Sequence, residues 1–236
     1  MGTVLGKVSV ETPKYELLSQ TERYEIRKYA PLVAAEVRAS EIFGSGETQK
    51  RQLDSMGFRL LANYIGAIGK PANHSATGQD PEAVAMTAPV VNKPEQIAMT
   101  APVVTTEVEG APRTRELSGQ GTSGDGKSSR IGGTMAFYLP SKYDSIEKAP
   151  VPEDKRVHLV QIPARKVAVC IFSGNVDMIS SRKQAIDLFQ ALRADHIPMK
   201  GEPKTLDEAV WSLARYNPPW SLPWRKRNEV QIELEM

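Results

Sequence analysis

The sequence predicts an α+β protein in which two similar halves share one mostly antiparallel sheet and each half contributes a helix. Three observations lead there. Short segments rich in β-branched and aromatic residues, bounded by Pro and Gly, run along the whole chain. Two longer stretches instead carry apolar residues at helical spacing, near 53–66 and 177–194. The order strands, helix, strands then occurs twice, as a structural echo with no sequence repeat behind it.

In order, Tyr24-Glu25-Ile26-Arg27 and Leu32 to Val37 read as two strands flanking Ala30-Pro31. Ser40 to Gln49, with Gly44 and Gly46 and few apolar residues, reads as a loop. From Leu53 to Gly66 the spacing predicts a helix with two apolar stripes, Leu53-Met56-Leu60-Tyr64 and Phe58-Leu61-Ile65. That arc is wider than a helix lying on one sheet needs. Either a loop covers the second stripe, which the pattern alone favours, or the stripe walls a ligand cleft. Gly69 to Pro81 is expected to be a loop carrying His74.

A phrase then appears twice: Val84-Ala85-Met86-Thr87-Ala88-Pro89-Val90-Val91, and thirteen residues later Ile97-Ala98-Met99-Thr100-Ala101-Pro102-Val103-Val104. Each copy reads as a short β-type segment weakened by its Pro, and Asn92-Lys93-Pro94-Glu95 as the polar turn between them. Two copies are too few for a solenoid, so this is a local duplication with one copy in the fold's proper place. Glu107 to Gly133, with seven glycines and little that is apolar, is expected to be a disordered insertion in a single domain spanning 1–236.

Met135 to Leu139 resumes as a strand ended by Pro140, and Ala149 to Asp154 is a Pro-stiffened connector. Val157 to Ile162 and Lys166 to Phe172 are strands separated by Pro163-Ala164-Arg165. A helix from about Asp177 to Ala194 buries Ile179, Ala185, Ile186, Phe189 and Leu192 and stops at Ile197-Pro198. Trp211 to Tyr216 and Glu229 to Leu234 are the final strands.

A chain of 236 residues, 40% apolar and 25% charged, can bury a real core. Its net charge of +2 makes no case for nucleic acid. The single cysteine, Cys170, excludes an internal disulfide framework and a cysteine-rich zinc site. No apolar run reaches transmembrane length, no signal-peptide core precedes Glu11, and Gly6 stands where a myristoylation motif needs Ser or Thr, so a cytoplasmic location is expected.

No enzyme declares itself. There is no Gly-x-Ser-x-Gly turn, and His74, His158 and His196 lack metal-ligand spacing. Gly66-Ala67-Ile68-Gly69-Lys70 lacks the spacing of a phosphate loop. What stands out is Tyr216 to Trp224, where two indoles, a phenol and three prolines give stiff apolar area, followed at once by Arg225-Lys226-Arg227.

The phrase Ala-Met-Thr-Ala-Pro-Val, with Tyr24-Glu25-Ile26-Arg27-Lys28-Tyr29, Arg215-Tyr216-Asn217-Pro218-Pro219-Trp220 and Arg227-Asn228-Glu229-Val230 in that order, resembles the SOUL/heme-binding-protein family. The opening Gly6-Lys7 and Val10 to Tyr15 is similar to its plant and green-algal cytosolic branch. The resemblance implies a strongly curved sheet or distorted barrel flanked by two helices, similar to gyrase-inhibitor-like ligand-binding domains.

It further implies that heme or protoporphyrin lies in a cleft between the first helix and the late loop. Phe58, Leu61, Ala62 and Ile65 would form the wall, Tyr216, Trp220 and Trp224 the lid, and Arg225, Lys226 and Arg227 the cations facing the propionates. The chain departs from the family where an animal branch places an axial histidine: Tyr29-Ala30-Pro31 is followed by Leu32 and Val33. No strong axial protein ligand is therefore expected. The expected activity is reversible, non-enzymatic carriage or buffering of a tetrapyrrole. Two alternatives are a protein-interaction module and a small-molecule hydrolase in which Glu229 would act.

Overall fold

The computed structural model describes residues 10–43, 53–94 and 133–236, except positions 178 and 219. The strands are β1 (Tyr15–Gln20), β2 (Glu25–Tyr29), β3 (Leu32–Arg38), β4 (Asn73–His74), β5 (Val90–Pro94), β6 (Gly133–Tyr138), β7 (Val151–Pro152), β8 (His158–Ile162), β9 (Arg165–Phe172), β10 (Trp211–Arg215) and β11 (Asn228–Glu233). The helices are α1 (Ala39–Phe43), α2 (Phe58–Ile65, entered through a π-helical turn at Leu53–Gly57) and α3 (Arg182–Ala194). Nine strands form one sheet, ordered β1-β2-β9-β11-β10-β5-β6-β3-β8, with every neighbouring pair antiparallel; β4 and β7 pair separately.

Two short links dictate how far this sheet curls. Ala30-Pro31 alone joins β2 to β3, and Pro163-Ala164 alone joins β8 to β9. In each case the joined strands lie six places apart in the sheet. Two linking residues reach about 10 Å, whereas six strand spacings on a flat sheet exceed about 25 Å. The sheet must therefore roll into a half-barrel. Hydrogen bonds across the hollow agree with this: Arg165 Nη2 at the start of β9 donates to the Tyr138 hydroxyl on β6 at 2.6 Å, four strands away.

The alternation of each strand separates two faces. Outward-facing Ala168, Val230, Ile232 and Trp211 pack under α3 through Ala185, Leu188, Phe189 and Leu192. Val33, Ala35, Val37, Met135 and Phe137 pack under α2 through Leu61, Tyr64 and Ile65. Full burial of each such Leu, Ile, Val or Phe contributes roughly 1.5–3 kcal/mol. The inward face is filled by small or aromatic residues, Ala34, Val91, Ala136, Tyr138 and Ala214, beside Tyr29, Val167 and Val169. Helix α2 ends at Gly66, whose left-handed φ of 78° lets its N–H reach back to the last turn. Asn73, fully buried, then ties the following loop down by donating to the Tyr64 and Glu82 carbonyls at 2.5 and 2.9 Å.

The α+β class and the two-halved, helix-flanked curved sheet are as expected; several local features differ. Strand β1 is absent from the expectation because all six of its residues are exposed and no alternation marks it. Part of the 40–49 loop is α1, and 44–49 lies outside the described residues. Asn92-Lys93-Pro94 is the end of β5 and not a turn: Asn92 pairs with both β10 and β6, Lys93 and Pro94 pair with β6, and Pro94 takes the last position, where its missing donor costs least. Val84 to Ala88 is irregular, held by Val84 N–H to the Ile65 carbonyl and Ala88 N–H to the Glu11 carbonyl.

Helix α3 begins only at Arg182, because Asp177 Oδ1 accepts from the Ile179 and Ser180 N–H groups and closes a turn first. Ile179, at 60% exposed, therefore lies outside the helix, and Ile186 is at its margin, while Leu188 and Ala191 join the buried side. His74 lies in β4 and pairs with the connector strand β7. The second copy of the phrase, 97–104, and the insertion up to 132 lie outside the described residues. Among the described residues no helix is long and apolar enough to cross a membrane.

Candidate functional site

The loop joining β10 to β11 has a firm backbone. The Tyr216 N–H donates to the Arg227 carbonyl (3.1 Å) and the Arg227 N–H to Asn217 Oδ1 (2.8 Å), closing its neck. Inside it, Pro223–Arg225 forms a 3₁₀ turn, opened by the proline whose fixed φ suits a first helical position. The loop is also pinned to residues 174–175: Gly174 N–H donates to the Pro223 carbonyl (3.0 Å), Asn228 Nδ2 to the Gly174 carbonyl (3.0 Å), and Lys226 Nζ to Asn175 Oδ1 (2.7 Å). On this fixed backbone Trp220 is 77% exposed and Trp224 70%, with Leu222 also exposed. Apolar side chains held outward on a braced loop make this surface a candidate interaction site.

Arg215, the last residue of β10, joins the loop's base to the first helical segment. Its Nη2 donates to Asp54 Oδ1 (2.7 Å) and Asn92 Oδ1 (2.9 Å). The start of the π-helical turn is thus tied to the foot of the loop, and Met56 in that turn stays 40% exposed.

The ten expected site residues divide into three groups. Trp220, Trp224, Arg225 and Lys226 share the loop surface. Of the four assigned to the cleft wall, Leu61, Ala62 and Ile65 are core residues at most 3% exposed, and Phe58 is half-buried, meeting Phe137 edge-on at 5.4 Å. The wide apolar arc exists because α2 is covered on a second side by loop residues such as Val84, Tyr143 and Ala149. Met56, in the π-helical turn that regular helical spacing does not show, is an exposed apolar residue two positions from Asp54.

Tyr216 and Arg227 belong to a third place, the hollow of the sheet, where they close on Glu229. That carboxylate is wholly buried and accepts five hydrogen bonds. Oε1 takes Arg27 Nη1 (3.1 Å), Arg227 Nε (3.0 Å) and Arg227 Nη2 (2.6 Å). Oε2 takes the Tyr216 hydroxyl (2.8 Å) and Gln231 Nε2 (3.1 Å). Arg27, also wholly buried, reaches Glu25 at 2.5 Å, and its guanidinium lies 4.3 Å from the centre of the Tyr15 ring. Burial opposes the charge of Arg27, but Glu229, Tyr29 and Glu25 outweigh it and raise its pKa. Burial, then the Glu229 charge, pushes the Tyr216 phenol far above its ordinary value, and burial raises that of Tyr29 to about 12.

Cys170 packs against the α3 cluster, and burial raises its thiol, with Asp187 adding to the shift, which disfavours the thiolate that iron would need. His158 bonds Glu41 at 2.6 Å across the outer strand. Among the described residues no group of three or more His, Cys, Asp or Glu could hold a metal ion. A separate groove of about 200 Å³, lined among others by Pro13, Lys14, Leu32, Tyr138 and Tyr143, includes none of the expected residues.

The model of the SOUL heme-binding protein family matches residues 10–95 and 91–233, nearly the whole chain in two overlapping spans. The protein belongs to the SOUL heme-binding family. The two spans overlap at 91–95, the end of the first copy of the phrase and the spacer that follows it. Comparison with curated proteins gives no match. Among solved structures the chain is similar to the EcmrR C-terminal domain (10% identity, 94% of this chain and 98% of that one, TM-score 0.49). It is also similar to a hydrolase from Listeria innocua (10% identity, 92% and 94%, TM-score 0.47). Both are distant likenesses.

Proposed function

We propose that this SOUL protein binds a tetrapyrrole reversibly and without catalysis, on the loop that carries Trp220 and Trp224. The observation that carries the reading is the pair of indoles held outward on a braced, proline-stiffened loop with Arg225 and Lys226 beside them. A porphyrin is a flat apolar disc with two carboxylates at one edge. Indole faces suit the disc, and guanidinium and ammonium groups suit the propionates. Because the backbone is already ordered, binding costs little loop entropy. Met56, tied to the loop through Asp54 and Arg215, supplies the opposing apolar edge. Arg227 takes no part in propionate pairing, since Glu229 already engages it.

The residues present fit a porphyrin held by stacking and charge: Trp220 and Trp224 would hold the ring, Arg225 and Lys226 the propionates, and iron, where bound, would supply its own redox and ligand chemistry. Family membership supports the ligand class. The hydrolase alternative has little support: five donors occupy Glu229, so the carboxylate has no open position from which to accept a proton from water.

Titration with ferric heme and with metal-free protoporphyrin, followed by absorbance and Trp fluorescence, tests the reading. Both ligands saturate with similar affinity, and Trp224→Ala or Trp220→Ala weakens each about tenfold, equivalent to about 1.4 kcal/mol. If neither ligand saturates below millimolar concentration, the exposed indoles serve a protein partner and the carrier reading fails. Heme-only binding with a low-spin spectrum would mean that an axial ligand exists.

A further inference from the structure

The hollow of the half-barrel holds two cations, Arg165 and Lys93, against a single lining carboxylate, Glu233, whose charge acts on both but whose ion pair goes to Lys200. Arg165 is only 7% exposed. It makes one side-chain hydrogen bond, to the Tyr138 hydroxyl, and its Nε is buried with no partner. Lys93, on β5, forms neither a hydrogen bond nor an ion pair among the described residues, and burial followed by the Arg165 charge lowers its pKa. The carboxylates nearest to it are committed elsewhere: Glu233 to Lys200 at 2.8 Å and Glu36 toward Arg38 at 3.6 Å. Three strand spacings, about 14 Å on a flat sheet, separate β5 from β9, yet the curl makes Lys93 and Arg165 line one cleft with Ser212, Gln231 and Glu233.

Desolvating two like charges side by side is unfavourable unless an anion joins them. A second orphan atom narrows which anion. Gln231 must turn its Nε2 toward Glu229, a pure acceptor, so its Oε1 faces away, buried and without a donor. We infer that this cleft binds a compact oxyanion that also carries a hydroxyl, either hydrogen phosphate or a hydroxy-carboxylate. The oxyanion lies between Lys93 and Arg165, and its O–H donates toward Gln231. The cleft is closed to water as it stands, so the flexible Lys93 stem swings outward to open it for the anion. This site is separate from the indole loop and does not depend on the tetrapyrrole reading.

The test is an NMR titration of the full chain with inorganic phosphate, glycolate and sulfate at constant ionic strength, watching the Arg165 Nε–H resonance. Phosphate or glycolate should shift it saturably in the low-millimolar range, and sulfate, having no proton to donate, should bind several-fold more weakly. Lys93→Met should weaken the tighter ligand about tenfold or more while keeping a dispersed spectrum and unchanged protoporphyrin binding. Trp224→Ala should leave phosphate binding unchanged. A shift that grows linearly without saturating, or saturable binding that survives Lys93→Met, overturns the site. Equal binding of sulfate overturns the role given to Gln231.

Discussion

The most demanding prediction concerns Glu229→Gln. The substitution keeps the shape but converts one acceptor oxygen into a donor and removes the charge. An NH₂ in the place of Oε1 faces two guanidiniums that can only donate, so the amide turns it toward the Tyr216 hydroxyl and the Gln231 amide, which can accept, and the loss falls on the charge facing Arg27 and Arg227. The two guanidiniums lose different amounts. Arg227 has a side chain 41% exposed and can turn to water, so its share is small. Arg27 is fully buried and keeps only Glu25 as a countercharge. Breaking one side of a buried pair costs about 3–5 kcal/mol, and the retained Glu25 places this case near 3.

For a chain of this size that lowers Tm by roughly 6–12 °C. Urea unfolding reads it as a lower midpoint at unchanged slope. Arg27→Met, which leaves Glu229 with Arg227, Tyr216 and Gln231, costs less, about 1–3 kcal/mol, and the double variant shows a coupling of at least about 1 kcal/mol. Below its transition Glu229→Gln binds protoporphyrin as the unsubstituted protein does, because the network lies in the hollow and the indoles outside it. A midpoint within about 1 kcal/mol of the parent, or a lost tetrapyrrole affinity in the folded variant, would refute the structural role given to Glu229.

Other expectations can be checked with the same tools. Gly66→Ala brings a Cβ to 2.6 Å from Pro71 Cγ on top of a φ of 78°, whereas Gly69→Ala, at φ 77°, meets nothing within 4 Å. The first therefore costs about 2 kcal/mol or more and the second about 1, and equal urea midpoints would sink the argument from Pro71. Phe189→Ala, emptying a position under α3, destabilises by about 3–5 kcal/mol without altering tetrapyrrole affinity. The Tyr143 hydroxyl, then Lys142, hold the Glu82 carboxyl below 4.5 against burial. A depressed folded value means stability present above pH 4.5 and lost as pH falls through the lowered value. Tyr143→Phe should move the Glu82 titration, read by carbon NMR, up toward 4.5 and flatten the acid limb of the stability curve; an unmoved titration refutes the assignment.

How much of this could be read from the sequence depends on what each residue's neighbours are. Strands β9 and β11 and helix α3 were legible because their buried residues face a partner at a fixed period. Strand β1 was not, because it is an edge strand with no buried face, paired along one side to β2. The second stripe of α2 was seen but its reason was open, and coverage by residues from 84 and 143–149 is long-range information that a local period cannot hold. At the loop, composition marks the two indoles and all three of Arg225-Lys226-Arg227. It could not separate Arg227 from its two neighbours, since that distinction rests on β11 alternation placing Glu229 in the hollow beside it.

The two proline links show why the hollow itself was hidden. Read locally, Tyr29-Ala30-Pro31-Leu32 and Ile162-Pro163-Ala164-Arg165 each resemble a tight connection between antiparallel neighbours. Proline offers no N–H to a hairpin ladder, and each link instead crosses the open side of the rolled sheet to a strand six places away. The crossing sets Tyr29 and Arg165 at the two link ends, with the Arg165 guanidinium 5.7 Å from the centre of the Tyr29 ring. It also carries Arg165 to Tyr138, and to the cleft it shares with Lys93. Lys93 was read as a turn residue for the same reason: its polarity fits solvent locally, and only the roll of the sheet turns it inward. A lysine and an arginine 72 positions apart in sequence became neighbours through the geometry of two dipeptides. Inserting two glycines into either link would let the sheet relax, and the signature would be loss of the Arg165 Nε–H shift on phosphate addition while α3 and its cluster stayed folded.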